Sequence, residues 1–367
     1  MMLAPLAVAQ KAGSKKPSDA AKPPGTAKPT AEKVMERRLK DLQVELANFE
    51  AIFGPEHVET LKSATKLANF LRGTGDLAAA ERNFRRVLAG FEKLSGPEHI
   101  DTLAAEENLA GLLWLKGDMG ESERLFRRTY GTKQRVFGAG SKTTLVSAIG
   151  LSGVLRAKGD FTAAGNVMRS VVEISRREFG PEHPDTLVAQ RNVAIILSQA
   201  GDDAGALKML EEVQKTREKV LGMDHLQTIR TRQDVAASLS KLGEHQRAVK
   251  ISTASLAAIE KQLPANHPET LNSVGTHARI LAGAGDAAGA VQHLRRTVNG
   301  FSLGFGKQHP NTCIEMLELA KALQKKGDKA EALTVAKKAR DGFAKAAGVE
   351  NENTRAAEKL VGELTKK

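Results

Sequence analysis

An all-α solenoid of stacked helical hairpins is the fold this sequence predicts. Two marks recur every 42 residues, apolar residues between them keep a helical period, and no segment alternates as a strand would. The first mark is Gly54-Pro-Glu-His57-Val-Glu-Thr60-Leu61, repeated as Gly96 to Leu103 and Gly180 to Leu187 and more weakly elsewhere. Its threonine falls at Thr60, Thr102, Thr144, Thr186, Thr228, Thr270, Thr312 and Thr354. The second mark is Gly75-Asp76 and its copies at Gly117, Gly159, Gly201, Gly243, Gly285 and Gly327, each followed by Asp or Glu. Two marks in phase over seven units define a repeat protein, whose hairpins bury their apolar faces only against their neighbours.

Residues 10–30 hold Lys, Pro, Ala, Gly, Ser and Thr without periodicity, which predicts a disordered basic tail over residues 1–30. Residues 1–9 within it end in Ala7-Val8-Ala9, a small-x-small pattern resembling a signal-peptide cleavage site, but no positive charge opens them. The expectation is a cytoplasmic protein, with export as the alternative if this is a signal remnant. Residues 31–53 carry Leu39, Leu42, Leu46, Phe49 and Phe53 and predict an N-terminal capping helix. Residues 54–347 are seven repeats, and 348–367 predict a C-terminal capping helix, with Arg355 and Lys359 at positions that other copies give to apolar residues.

Within a repeat the first helix follows the threonine, with a buried stripe such as Leu103, Leu109, Ala110 and Leu113. An acidic residue before the threonine suits a helix start, and the glycine of Gly-Asp stops that helix. The acidic residue after this glycine caps the second helix. A small residue recurs there, as at Ser122, Ala164, Ala206, Ala248, Ala290 and Ala332, and lets two helices approach closely.

Composition narrows the function. The net charge of +12 gathers in the tails: residues 1–30 carry +4 and residues 321–367 carry +5, so the middle is nearly balanced. No basic stripe follows, aromatics for base stacking are 4%, and nucleic acid is disfavoured as a partner. A nucleic-acid or anionic-surface binder acting through the tails is the least favoured reading. The single Cys313 excludes a disulfide framework, and no stretch approaches the roughly 20 apolar residues of a membrane helix.

The helix-turn-helix unit and the 42-residue step, with Gly180-Pro-Glu-His-Pro-Asp-Thr-Leu187 followed by Asn192-Val193-Ala194, and likewise Asn108-Leu109-Ala110, resemble the kinesin-light-chain type of tetratricopeptide repeat. The resemblance implies a right-handed superhelix whose first helices line a concave groove for peptides or partner proteins. It implies a non-enzymatic scaffold, with a motor and cargo adaptor as the narrower alternative. Only about two heptads precede the repeats, too few for a stable coiled coil.

No catalytic or metal site is expected. His57, His99, His183, His225, His267 and His309 share one repeat position, and one histidine per unit cannot converge on a metal whose ligands lie about 2 Å away. They read as locks on the turn. Cys313 stands where Leu61 and Leu103 stand and reads as buried packing. No cofactor and no small-molecule substrate are implied. The candidate peptide groove is the first-helix face at positions two, six, nine and thirteen after each threonine: Lys66, Asn69, Asn108, Asn192, Arg230, Asp234, Arg279 and Lys321, with Gly111, Gly150 and Gly153 among them. Small and amide-bearing residues in the middle would admit an extended backbone, and the basic C-terminal third would suit an acidic segment. The competing reading is a solvated helix surface.

Overall fold

The computed structural model describes residues 31–349 and 351–366; the expected tail at 1–30, with Ala7-Val8-Ala9, lies outside the described residues. Sixteen helices and no strand form among the described residues. A leading helix α1 (Ala31–Phe53) packs on the first repeat. The first helices of the seven repeats are α2 (Val58–Thr74), α4 (Ile100–Lys116), α6 (Lys142–Ala157), α8 (Pro184–Gln199), α10 (Leu226–Lys241), α12 (Pro268–Gly283) and α14 (Pro310–Lys326). The second helices are α3 (Leu77–Ser95), α5 (Met119–Phe137), α7 (Phe161–Phe179), α9 (Asp203–Leu221), α11 (His245–Gln262), α13 (Ala287–Phe305) and α15 (Lys329–Ala347), and α16 (Glu352–Thr365) covers the last repeat.

The recurring marks set the ends of these helices. Each marked histidine is the residue before a first helix and offers a ring nitrogen: the Glu59 N–H donates to His57 Nδ1 at 3.3 Å, and the Asn311 N–H to His309 Nδ1 at 3.2 Å. The cap is therefore the histidine, and the acidic residue that the sequence offered for that role sits in the first helical turn, as Glu59 and Asp101 do. Six of the eight marked threonines donate to the glycine carbonyl six residues earlier, as Thr102 Oγ1 does to Gly96 at 2.7 Å, closing the loop between repeats. Thr228 and Thr270 bury their hydroxyls without such a bond. At the other turn Gly75 takes φ +88°, open to glycine at no steric cost, and the Ala79 N–H donates to Asp76 Oδ1 at 3.0 Å.

Packing follows the repeat. The small-residue column (Ala80, Ser122, Ala164, Ala206, Ala248, Ala290, Ala332) is fully buried, so first and second helices cross closely. Leu61, Leu103 and Leu109 seal the hairpin, each worth roughly 1.5–3 kcal/mol of burial. First helices of successive repeats touch, as α10 does α12 and α4 does α6, whereas successive second helices splay apart. First helices therefore line the inside of the curve.

The curve completes a turn. The Asn351 side-chain amide donates to the Lys116 carbonyl at 3.2 Å across 235 residues, between five and six repeats along the chain. A Cβ on Gly75 would lie 3.8 Å from the His309 Cβ, and one on Gly117 would collide with the Asn351 amide. The Gly-Asp edge of the first two repeats thus meets the opposite edge of the last repeat and of α16. Burial at this contact pushes the His309 imidazole down to about 4, against a hydrogen bond with the Arg72 backbone that favours the charged form.

Candidate functional site: the inner face of the solenoid

Polar pairs bridge the seams between successive first helices. Glu107 on α4 accepts from Ser147 on α6, Arg191 on α8 pairs with Asp234 on α10, and Gln233 on α10 bonds Ser273 on α12. Arg230 reaches Glu269 at 2.7 Å, and Arg279 reaches Glu315 at 3.2 Å. These pairs select the stacking register, because a slip of one residue would leave each buried member without a partner.

Most of the residues singled out from the sequence are engaged in this way. Lys66 pairs with Glu45 of α1 at 2.8 Å, and Asn69 Oδ1 accepts from Arg72 at 2.8 Å. Arg230, Asp234 and Arg279 belong to the seam pairs, and Lys321 pairs with Glu318 one turn away at 2.7 Å. Charge on the C-terminal third of this face is therefore largely matched by its own carboxylates. Burial raises the Glu315 carboxyl above its usual range, and the Arg279 guanidinium opposes that rise. The glycines serve packing: Phe126 fills the space a Cβ on Gly150 would need, and the Trp114 ring lies 2.8 Å from where one on Gly153 would stand. Asn108 and Asn192 differ. Both are half-buried, and their amides hydrogen-bond to nothing among the described residues.

Three arginines that the sequence reading passed over lie in the third and fourth repeats: Arg156, Arg191 and Arg217. Arg156, at the end of α6, is half-buried and makes no ion pair or side-chain hydrogen bond among the described residues. The equivalent residues of the first two repeats, Arg72 and Trp114, lie against Gly111 and Gly153 of the next repeat. Burial lowers the Arg156 guanidinium below its usual range, and the nearby Arg191 adds to this. Arg217 of α9 is 1% exposed; it donates to the Gln227 carbonyl at 3.0 Å and to Thr231 Oγ1 at 2.6 Å, while its Nε has no partner. Burial pushes it down to about 10, with Arg191 and Arg230 contributing and Asp234 opposing. The signal was present in the repeat columns. Arg217 and Lys133 stand where other repeats place Phe91, Ile259, Phe301 and Phe343, and Arg156 and Arg191 sit one residue from the positions chosen, a rotation of about 100° on a helix.

Other chemistry is sparse. Among the described residues no group of three or more side chains could hold a metal ion. His277 replaces a core leucine and bonds Ser252 Oγ at 2.8 Å, with His293 edge-on at 5.0 Å; burial lowers both imidazoles. Burial pushes the Cys313 thiol up to about 12, which makes it inert packing. A cleft of about 270 Å³ opens between the splayed α7 and α9, lined by Val172, Val193, Met209 and Val213. No described helix is long and apolar enough to cross a membrane.

The family model of the tetratricopeptide repeat matches residues 59–135 and 143–219. Those two segments are tetratricopeptide repeats. The tetratricopeptide hairpin runs on beyond the matched segments, since α10 to α15 keep the same step, loops and small-residue column. Among solved structures, this chain is similar to the nearly identical TPR-like repeats of a kinesin light chain from Podosopora anserina, at 27% identity over 55% of this chain and 95% of that one, with a TM-score of 0.45. BtubC from P. vanneervenii is 16% identical over 62% and 91% of the two chains, TM-score 0.51, and yeast Tom70 is 12% identical over 90% and 60%, TM-score 0.53. The last two likenesses are of fold. No curated protein matches.

Proposed function

We propose that this protein is a non-enzymatic scaffold that holds an extended segment of a partner protein against the inner face of its solenoid. The observation that carries this reading is the pair of half-buried amides, Asn108 and Asn192, that find no partner among the described residues on a face whose other polar groups are almost all engaged. A carboxamide offers both a donor and an acceptor, the pair that a peptide main chain presents. A Rap protein of the same fold, 11% identical with a TM-score of 0.53, is known in complex with Competence and Sporulation Factor, which supports a binding role by analogy of fold. The protein is read as cytoplasmic, and N-terminal sequencing of the native chain tests that. The narrower adaptor reading would be carried by co-purification with a motor heavy chain.

The test is affinity capture with the full chain, followed by cross-linking of the captured partner and mapping of the linked residues. Cross-links should gather on α4, α6 and α8, and the paired substitution Asn108→Ala with Asn192→Ala should release the partner. Retention by that variant, or cross-links confined to α7 and α9, would refute the groove.

A further inference from the structure

We propose that this protein assembles with further copies of itself, edge to edge. The edge carrying the loops between repeats, in repeats one to three of one copy, seats on the Gly-Asp edge of repeats four to six of the next. The chain already makes this kind of contact with itself. The loop edge of the seventh repeat and of α16 rests on the Gly-Asp edge of the first two repeats, and two hydrogen bonds join them. The His309 imidazole bonds with the Arg72 backbone, and the Asn351 amide donates to the Lys116 carbonyl at 3.2 Å. His309 and Asn351 hold the same repeat position, just before a first helix. Arg72 and Lys116 lie in the last turn of a first helix, where carbonyls have no partner within the helix.

The repeat copies this chemistry along the chain. His57, His99, His183, His225 and His267 stand where His309 does, and each accepts the capping N–H at Nδ1. The neutral ring then carries its proton on Nε2 and can donate again. His309 is 4% exposed under the contact, whereas His57, His99 and His225 are exposed. On the other edge, a Cβ on Gly75 or Gly117 would meet His309 or Asn351, and one on Gly159, Gly201, Gly243, Gly285 or Gly327 would meet nothing within 4 Å. Each edge therefore repeats a surface that fits the other, and most of both lies open.

Apolar surface selects the repeats. The ends of α1, α3 and α5 bring Ile52, Leu94 and Val136 to the loop edge, 71%, 51% and 43% exposed. The residue before the Gly-Asp glycine is Lys158 in the third repeat and Lys326 in the seventh, but Ala200, Leu242 and Ala284 in the three between, all exposed. Three apolar positions one repeat apart thus meet three of the same spacing, and pairing them takes both rows out of water. That shared step favours a second copy over an unrelated partner. Space allows it: the seventh repeat sits on the first, so a second copy's first repeat on repeat four takes the place of a tenth, clear of α16, which forms half of an eighth. Because the two surfaces differ, the contact is head-to-tail and leaves one free edge of each kind, so copies add without closure.

The test is sedimentation velocity of the full chain over a concentration series at physiological ionic strength. The parent should grow beyond a dimer as concentration rises. Ile52→Glu with Leu94→Glu spoils the loop edge, and Leu242→Glu with Ala284→Glu spoils the Gly-Asp edge. All four side chains are exposed, and none belongs to the His309 or Asn351 contact. Each variant alone should sediment as a monomer. Their equimolar mixture should form a dimer and nothing larger, since each supplies the edge the other lacks, and that recovery shows both to be folded. Residues 1–30 are common to every variant, so these differences report the edges. Serine at the same four positions gives a milder pair, read in the same way. A parent that stays monomeric at every concentration overturns the proposal. So does dimerisation of the Leu242→Glu, Ala284→Glu variant by itself, which would mean that like edges meet, and so does a mixture that stays monomeric in both the glutamate and the serine series.

Discussion

Arg217 should be a net cost to stability, and Arg217→Met should therefore stabilise the protein. The side chain is 1% exposed, has no carboxylate partner and leaves its Nε unbonded. Its guanidinium is pushed down to about 10 chiefly by burial. At 1.36 kcal/mol per pK unit, that fall disfavours the charged form by about 3 kcal/mol in the folded state. Against this stand two hydrogen bonds, to the Gln227 carbonyl and Thr231 Oγ1, worth about 1 kcal/mol each. Their loss strands no backbone group, because Thr231 Oγ1 still donates to the Gln227 carbonyl at 2.9 Å. Methionine also fills an apolar slot in a column that holds Phe91, Ile259 and Phe301. A net gain of about 1 kcal/mol follows, read as a rise of roughly 2 °C in the melting midpoint by circular dichroism. The sign with pH is definite. The folded state holds this proton less tightly than the unfolded state, so the parent gains stability as pH rises past 10 and the gap to Arg217→Met narrows. A lower midpoint for Arg217→Met at pH 7, or a gap that widens toward pH 10, would show that the guanidinium contributes more than its burial costs.

Three further outcomes test other parts of the structure. In a Cys313→Ala background, Gly75→Cys with His309→Cys places the two Cβ atoms 3.8 Å apart, inside the 3.5–4.5 Å range of a disulfide, so mild oxidation should consume both thiols within the monomer; thiols that stay free would mean the turns of the solenoid do not meet. Gly153→Val should displace the ring of Trp114, the chain's one tryptophan, and shift its emission to longer wavelength; an unchanged spectrum would contradict that packing. His277 is buried and its imidazole lowered, so the unfolded chain takes up this proton first and stability falls as pH drops below the ordinary histidine range; His277→Leu should blunt that fall in melts between pH 7 and 4.5, and an unaltered acid response would rule His277 out as its source.

The candidate site was legible only in part. Asn108 and Asn192 were singled out because their repeats share a motif, and their amides hydrogen-bond to nothing among the described residues. Arg230, Arg279 and Lys321 were found for their charge, but Glu269, Glu315 and Glu318 match each of them. Arg156 was missed because the chosen face was set by the helical wheel alone. It lacks a partner among the described residues, and no count of charges along the chain reveals which cation a neighbouring repeat has already satisfied. Gly150 and Gly153 carried the opposite error: small residues looked like room for a ligand, whereas Phe126 and Trp114 from the preceding repeat use that room.

From the sequence alone came the repeat unit, the helices and where each one stops. Those features are written in local chemistry: a ring nitrogen two residues from the amide it caps, a hydroxyl six residues from its carbonyl, a glycine free to turn left-handed. Tertiary structure decided what local chemistry cannot reach. Whether Asp234 meets Arg191, whether Arg156 stays unpaired and whether Asn351 closes on Lys116 depend on the offset and curvature summed over several stacked repeats, because a small rotation at each seam displaces residues many repeats apart by more than the length of a hydrogen bond.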